Sequence, residues 1–129
     1  MRTDCLHSGA VGGVGIDLLE VERLERALER RPRLAERVFT DAERAYAAGR
    51  ARPGLHLAAR FCAKEAVAKA LGMTAWNWRD VEVVATSAAP ELRLSGAVAA
   101  RAEALGVRAS ISLTHTDTTA GAVALLQPA

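Results

Sequence analysis

The hydrophobic positions of the chain change their spacing at Gly72. Before Gly72, apolar residues recur every three or four positions, as in Val21, Leu24 and Leu28, and this spacing predicts helices. After it, apolar and polar residues tend to alternate, as they do over residues 107–115, and this predicts strands. Helices that come early and an antiparallel sheet that comes late indicate an α+β fold in which helices pack on the sheet.

The early part is predicted to contain one short strand followed by three helices, at residues 14–16, 18–30, 41–48 and 56–71. Pro32 ends the first of these helices, because a proline ring disfavours helical backbone in the residue before it. Thr40 and Glu43 have the spacing of a capping box, which opens the second helix. Gly72 is expected to end the third helix as its C-terminal cap.

The late part is predicted to contain four strands and one helix. The strands lie at residues 81–86, 92–94, 107–115 and 119–126. The helix covers residues 95–106, with Ser95 as a plausible cap. Along residues 107–115 the apolar side chains face one side of the strand and the polar ones, including Ser112, face the other.

The composition fits a small globular domain. The chain has 129 residues, half of them hydrophobic, so we expect one domain over residues 14–129 after a flexible extension over residues 1–13. The net charge of +2 does not favour a nucleic-acid binder.

Cys5 and Cys62 do not form a disulfide framework, and Cys62 is expected to be a small buried hydrophobe. No apolar run is long enough to span a membrane and no secretory signal is evident, so a cytoplasmic protein is expected.

Asp17 and Glu65 are the first candidates for chemistry. Asp17 follows the first strand, where a carboxylate serves either as a helix cap or as a metal ligand. Glu65 lies partly on an apolar stripe of its helix, and a buried carboxylate needs a cation. Lys69 is placed to pair with Glu65 at i+4. The crowding of Arg60 and Lys64 on the same helix favours a Mg²⁺–phosphate site instead, and the spacing leaves both interpretations open.

A histidine and an arginine stripe complete the candidates. His115 ends an alternating strand. It is either structural, a general base or a hydrogen-bond donor to a phosphate. Arg23, Arg26 and Arg30 lie on one side of the first helix. They form either a solvated face or a docking surface for an acidic partner.

Five segments in this order resemble the holo-acyl-carrier-protein synthases, the small 4′-phosphopantetheinyl transferases, over residues 14–126. The segments begin with Gly15-Ile-Asp17-Leu-Leu-Glu-Val-Glu-Arg23 and Val38-Phe-Thr-Asp-Ala-Glu43, and continue with Arg60-Phe-Cys-Ala-Lys64-Glu65-Ala-Val-Ala-Lys69-Ala70, Trp78-Arg-Asp-Val-Glu-Val83 and Ile111-Ser-Leu-Thr-His115. Any one segment is weak evidence, but the ordered set in a chain of this length is specific. The resemblance implies the phosphopantetheinyl-transferase fold.

The resemblance also implies an activity and the residues that carry it. The 4′-phosphopantetheine group of coenzyme A would pass to a serine of an apo acyl carrier protein, as in fatty-acid or polyketide synthesis, and 3′,5′-ADP would leave. The metal Mg²⁺ would be held by Asp17 and Glu65. The phosphates of coenzyme A would be held by Lys69, Lys64 and Arg60. His115 or a Mg²⁺-bound water would accept the seryl proton. The remaining residues expected at coenzyme A are Pro90, Ser112 and His115.

The resemblance further implies that the first helix docks the acidic carrier protein through Arg23, with Arg26 and Arg30 extending the stripe. It implies a homotrimer with coenzyme A at the subunit interface. One departure concerns Ser87-Ala-Ala-Pro90, where the family often has a Gly-x-Pro turn; an alanine would be strained there if the turn needed a positive φ. Two other functions stay open, a catalytically silent carrier-protein-binding module and a small nucleic-acid-binding domain.

Overall fold

The protein is described by a computed structural model over residues 13–129. The predicted extension therefore lies outside the described residues except for Gly13, which begins the first strand. The elements are β1 (Gly13–Glu20), α1 (Val21–Arg30), α2 (Leu34–Val38), α3 (Asp41–Ala48), α4 (Pro53–Leu71), β2 (Val81–Val84), β3 (Glu91–Leu94), α5 (Gly96–Leu105), β4 (Val107–His115) and β5 (Thr119–Pro128).

Two antiparallel sheets accompany the helices, and the predicted α+β fold is confirmed. The larger sheet has the order β1-β5-β4, and the smaller one pairs β2 with β3. The first strand thus joins the last two, with Gly13 opposite Leu126 and Glu20 opposite Thr119. Distant parts of the sequence therefore meet in the larger sheet.

The boundary between β1 and α1 differs from the prediction. Leu18 and Leu19 were assigned to the helix, but they lie in β1 and pair with Gly121 and Ala120 of β5. The helix begins at Val21, after Glu20 at the N-cap position. Pairing with β5 satisfies the backbone of these residues, and this tertiary interaction outweighs the local helical pattern. Asp17 is consequently inside a strand, and its interpretation as a helix cap is wrong.

The predicted capping box at Thr40 and the predicted helix end at Gly72 are confirmed. The Thr40 hydroxyl accepts from the Glu43 N–H at 3.3 Å, and the Thr40 N–H donates to Glu43 Oε1 at 2.9 Å. Gly72 caps α4 with a φ of 70°. The helix α4 starts earlier than predicted, because Pro53 fits its first turn. Ser95 occupies the N-cap position of α5, although its side chain makes no capping hydrogen bond.

The short helix α2 was not predicted, and three strand ends differ by a few residues. The strand β2 is shorter, β3 starts one residue earlier and β5 extends to Pro128. None of these differences changes the topology.

The helix α4 packs across the inner face of the larger sheet. Small residues allow this close approach: Ala120, Ala122 and Ala124 of β5 are buried. A Cβ atom at Gly15 would lie 1.9 Å from the main-chain oxygen of Ala66, so only glycine permits the observed distance between β1 and α4. This contact brings side chains of β1 and α4 together.

The outer face of the same sheet is exposed and apolar along β1 and β5. Val14, Ile16 and Leu18 are 67%, 60% and 69% exposed, and they adjoin the exposed Val123 and Leu125. A patch of this kind on a small domain marks an interaction surface. Separately, none of the helices in residues 13–129 combines the length and apolarity needed to cross a bilayer.

Candidate active site

A cluster of charged side chains lies where β1 crosses α4. Side chains alternate along β1, so Val14, Ile16 and Leu18 point outward and Asp17 points inward, toward the helix. Glu65 is on the part of α4 that faces it, and Lys69 follows one helical turn later. The two carboxylates predicted to bind a metal are therefore brought together, although they are 48 residues apart by number (65 − 17).

Lys69 links the strand to the helix. Its Nζ atom lies 3.1 Å from Asp17 Oδ1, and it donates to the main-chain oxygen of Ile16 at 3.0 Å. Within residues 13–129, Lys69 forms its ion pair with Asp17 and not with Glu65. The simple i+4 helix pair is therefore not the role of this lysine.

Glu65 lies in surroundings that disfavour its charge. Burial raises the pKa of Glu65, the nearby Asp17 carboxylate raises it further, and Lys69 lowers it. Two carboxylates that share one ammonium favour the approach of a further cation.

The donor set of this cluster fits Mg²⁺. Carboxylate oxygens are ligands that Mg²⁺ prefers, and this ion is held by one or two carboxylates together with waters and substrate phosphates. No group of three or more His, Cys, Asp or Glu side chains among the described residues is arranged to hold a metal alone. Asp17 and Glu65 would therefore hold the ion in partnership with phosphate oxygens.

Cys62 forms part of the floor of this cluster. It is buried, as predicted, and its Sγ atom lies 3.6 Å from the main-chain oxygen of Ala120. Burial raises the pKa of the Cys62 thiol to about 12, with the Asp17 carboxylate as the next cause. The sulfur is thus a protonated thiol at neutral pH, which is not a metal ligand.

Lys64 does not have the predicted role. Its side chain is 0% exposed, and its ammonium pairs with the equally buried Glu43 at 2.8 Å. It also donates to the main-chain oxygens of Trp78 and Val81. These three partners use all three donors of the ammonium inside the protein. The prediction that Lys64 binds a phosphate of coenzyme A is therefore wrong.

Arg60, on α4, belongs to a second cationic cluster that it forms with residues from the end of α3 and the connection after it. The guanidinium groups of Arg60 and Arg50 lie 4.2 Å and 4.1 Å from the centre of the Tyr46 ring. Arg60 is 5% exposed and its Nε atom has no hydrogen-bond partner among the described residues. It lines a cavity of about 220 Å³ beside β2. A guanidinium group that lines a cavity is suited to an incoming anion.

Two histidines extend this cationic cluster toward the end of β4. The ring of His56 lies 5.8 Å from that of Tyr46 and 6.3 Å from that of His115. The pKa of His56 is lowered by burial and then by Arg60 and Arg50. The two nearby guanidinium groups disfavour a positive charge on His56, and the same groups would favour a bound anion.

Two of the predicted contacts of coenzyme A lie elsewhere. Pro90 precedes β3 in the connection between β2 and β3. No residue other than glycine has a positive φ among residues 13–129, so the alanines of this connection are unstrained. Ser112 is on the outer face of β4, away from the side that α4 covers. The inner cluster of one chain therefore includes neither residue.

The predicted docking arginines are exposed on α1. Arg26 pairs with Glu22 at 2.6 Å, whereas Arg23 and Arg30 form no ion pair with any other residue in 13–129. Arg23 and Arg26 line a concave surface of about 470 Å³ together with Arg52 and the turn before β5. Charged, exposed and partly unpaired arginines favour contact with an acidic surface.

Three contributing residues were missed from the sequence, namely Tyr46, Arg50 and Arg52. Arg50 follows Tyr46 by four residues, just after the end of α3, and this short spacing of an aromatic and a cation is a signal that could have identified them. Arg52 gave no such signal, because its partners Glu25 and Asp117 are distant in sequence.

Comparisons with known proteins identify the family of this chain. The family model described as the 4′-phosphopantetheinyl transferase superfamily matches residues 13–123. A holo-[acyl-carrier-protein] synthase of Streptomyces griseus is 51% identical over 118 residues, which are 89% of this chain and 97% of that protein.

Two solved structures have the same fold. One, a Chronobacterium ammoniagenes ACPS–CoA complex, has a TM-score of 0.81 at 30% identity, covering 93% of this chain and 99% of that one. The other, a Bacillus anthracis holo-(acyl-carrier-protein) synthase in complex with CoA (3′,5′-ADP), has a TM-score of 0.74 at 30% identity, covering 91% and 96%. Because the family model matches residues 13–123, which are most of this chain, the chain belongs to the 4′-phosphopantetheinyl transferase superfamily.

Proposed function

We propose that this protein is a Mg²⁺-dependent holo-[acyl-carrier-protein] synthase. It transfers the 4′-phosphopantetheine group of coenzyme A to a serine of an apo acyl carrier protein and releases 3′,5′-ADP. The observation that carries the proposal is the meeting of Asp17, Glu65 and Lys69 between β1 and α4. The relatives and the solved structures described above support the choice of substrates.

The chain's own residues divide the work of phosphoryl transfer. Asp17 and Glu65 hold Mg²⁺, which when bound neutralises charge on the pyrophosphate. Lys69, whose side chain is 51% exposed, keeps one ammonium donor free for a phosphate oxygen near the reacting phosphorus. Arg60 and Arg50 hold a further phosphate. These fixed cations stabilise the charge that develops in the transition state.

The serine must also lose a proton. His115 is exposed at the end of β4, and its ring is next to that of His56. We assign His115 as the proposed acceptor of the seryl proton.

Intact-mass spectrometry of an apo carrier protein tests the activity. The carrier is incubated with this protein, coenzyme A and Mg²⁺, and a parallel sample contains EDTA. We expect a mass gain of one phosphopantetheine. EDTA should abolish this gain, because the protein offers only two carboxylates to the ion and the chelator removes it. Binding of the carrier without any mass gain would instead identify a silent docking module.

The first helix is proposed to dock the carrier protein. Arg23 is exposed and free of intramolecular ion pairs within residues 13–129, so it meets an acidic partner without losing an existing contact. Arg26 must first exchange Glu22 for a carboxylate of the carrier. We therefore expect Arg23 to contribute more than Arg26.

Arg23→Glu should raise the KM for carrier protein by about tenfold, since reversing a docking charge opposes an acidic partner. The KM for coenzyme A should stay nearly constant, because the phosphate-binding residues are on other elements. Steady-state kinetics with each substrate varied in turn measures both values. Arg37→Glu, on the exposed side of α2, is the matched control. Equal changes in both KM values would contradict the docking role.

The exposed outer sheet face is proposed to form a homotrimer. Five apolar side chains are collected there, namely Val14, Ile16, Leu18, Val123 and Leu125. The polar side chains of β4, including Ser112, continue the same face. Burial of this face between subunits would place Ser112, which lies opposite Val123, within reach of a neighbouring chain, as a coenzyme A site at an interface requires.

Ile16→Glu should convert the trimer into a monomer, because a carboxylate would be buried at the interface without a partner. Size-exclusion chromatography with light scattering measures the mass directly. Leu105→Glu is the matched control, since Leu105 is 41% exposed on α5, outside this face. A monomeric wild-type protein would contradict the proposal.

A further inference from the structure

We propose that Arg52 is a positioning residue that fixes the docking helix α1 against the turn next to His115. The inference rests on the proposed function, because it concerns how a docked carrier protein is aligned with the reacting groups. It adds a residue that neither the sequence motifs nor the family match identifies.

One guanidinium group joins three separate elements. Arg52 immediately precedes α4, and it donates from Nε to Glu25 Oε2 at 3.1 Å and from Nη2 to Glu25 Oε1 at 2.9 Å. Its Nη1 atom donates to the main-chain oxygen of Asp117, in the turn between β4 and β5. The paired hydrogen bonds to Glu25 hold α1 in one orientation, since a guanidinium and a carboxylate match in a planar fork.

The backbone provides a second attachment of α1 to the same turn. The N–H of Val21, the first residue of α1, donates to the oxygen of Thr118 at 2.9 Å. The Thr116 N–H donates to the oxygen of Thr119 at 2.8 Å and closes the turn itself. With Val21 and Glu25 both attached, α1 is held at two points one helical turn apart, and such a helix cannot pivot about its first residue.

The sequence makes room for this contact at Gly54. A Cβ atom there would lie 2.4 Å from Glu25 Oε2, so a larger residue would displace the carboxylate from its place beside Arg52. The close approach of Glu25 to the start of α4 thus depends on a glycine.

The clamp, defined as Arg52 with Glu25 and Asp117, joins the two parts of the proposed site. Arg23 is two residues before Glu25 on α1, and His115 is two residues before Asp117 on the turn. Arg52 also lines the concave surface to which Arg23 contributes. A small shift of α1 would misplace the carrier serine relative to His115, and misplacement of this kind lowers the rate of a reaction strongly.

Three variants distinguish positioning from direct contact with the carrier. Arg52→Gln removes the clamp, Arg52→Lys keeps the charge without the planar fork, and Glu25→Gln leaves the arginine charged but unpaired. Positioning predicts that Arg52→Gln and Glu25→Gln each lower kcat/KM for carrier protein by about tenfold, with Arg52→Lys in between. The KM for coenzyme A should not change. Arg37→Gln is the control.

The double variant Arg52→Gln/Glu25→Gln completes the test. Because both residues act through one contact, the double variant should be no worse than either single variant. Normal or improved kinetics in Glu25→Gln alongside a defective Arg52→Gln would overturn the inference, since Arg52 would then contact the carrier directly. Equal losses in every kinetic parameter and in Tm would also overturn it, because the clamp would then support only the fold. Absence of transfer by the wild-type protein would instead count against the proposed function.

Discussion

Glu65→Gln is expected to reduce Mg²⁺-dependent transfer strongly while leaving the fold intact. Glutamine has the same shape but no charge, so the Mg²⁺ ion proposed to bind Asp17 and Glu65 would lose one of its two carboxylate ligands. Loss of one preorganised electrostatic contact to a transition state costs about 2.7–4 kcal/mol, so we expect a reduction in kcat/KM of about 10²–10³-fold. The intact-mass assay, run as a time course over a range of Mg²⁺ concentrations, measures this reduction.

The stability of the same variant should not fall. The pKa of Glu65 is raised in the folded protein by burial and by Asp17. A carboxyl group with a raised folded-state pKa destabilises the fold when it is ionised, above that pKa, and this penalty disappears as the pH falls and the group is protonated. Neutral glutamine removes the penalty at pH 7, so the thermal midpoint should stay equal or rise.

Glu103→Gln is the matched control for this experiment, since Glu103 is exposed on α5, far from the metal cluster in the fold. It should retain both activity and its sensitivity to EDTA. Full activity in Glu65→Gln would remove this residue from the metal site. A large loss of stability in the same variant would show that its negative charge supports the fold.

Lys64→Met is expected to have the opposite effect, a large loss of stability. The Glu43 carboxylate is buried and receives hydrogen bonds from the N–H groups of Thr40 at 2.9 Å and Val83 at 2.8 Å. Removing Lys64 leaves this charge buried without its partner, which costs about 3–5 kcal/mol. Since small domains are stable by about 5–15 kcal/mol, this cost is a large part of the total.

Urea unfolding followed by circular dichroism measures the change in the free energy of unfolding. The double variant Lys64→Met/Glu43→Leu should recover part of the loss, because no buried charge is left without a partner. Recovery should be incomplete, since the N–H groups of Thr40 and Val83 lose their carboxylate acceptor. Transfer by the double variant should be partly retained.

Lys69→Met is the comparison within the same helix. The Lys69 side chain is 51% exposed, and its pair with Asp17 is worth less than about 1 kcal/mol to stability. We expect this variant to unfold normally and to lose transfer activity. Normal stability of Lys64→Met combined with lost activity would instead restore Lys64 as a phosphate ligand.

The contrast between these two lysines shows where the sequence stopped being informative. They are five residues apart on α4, so they point about 140° apart around the helix. The motif assigned both to phosphates, but spacing alone does not say which side of a helix is buried. The packing of α4 between Glu43 and β1 made one lysine structural and left the other at the site.

The sequence by itself determined the features that depend on neighbouring residues. The capping box at Thr40, the end of α4 at Gly72 and the alternation along β4 were all predicted, because their interactions lie within a few residues. The residue types Asp17, Glu65 and Lys69 also indicated metal and phosphate chemistry before any geometry was known.

Only the tertiary structure decided which of these residues meet. The extension of β1 through Leu18 and Leu19 depends on β5, from the other end of the chain. The pairing of Arg52 with Glu25 spans 27 positions, and that of Lys64 with the peptide oxygens near β2 depends on how α4 is oriented. Burial and long-range pairing arise from the packed chain as a whole, so no local pattern contains them.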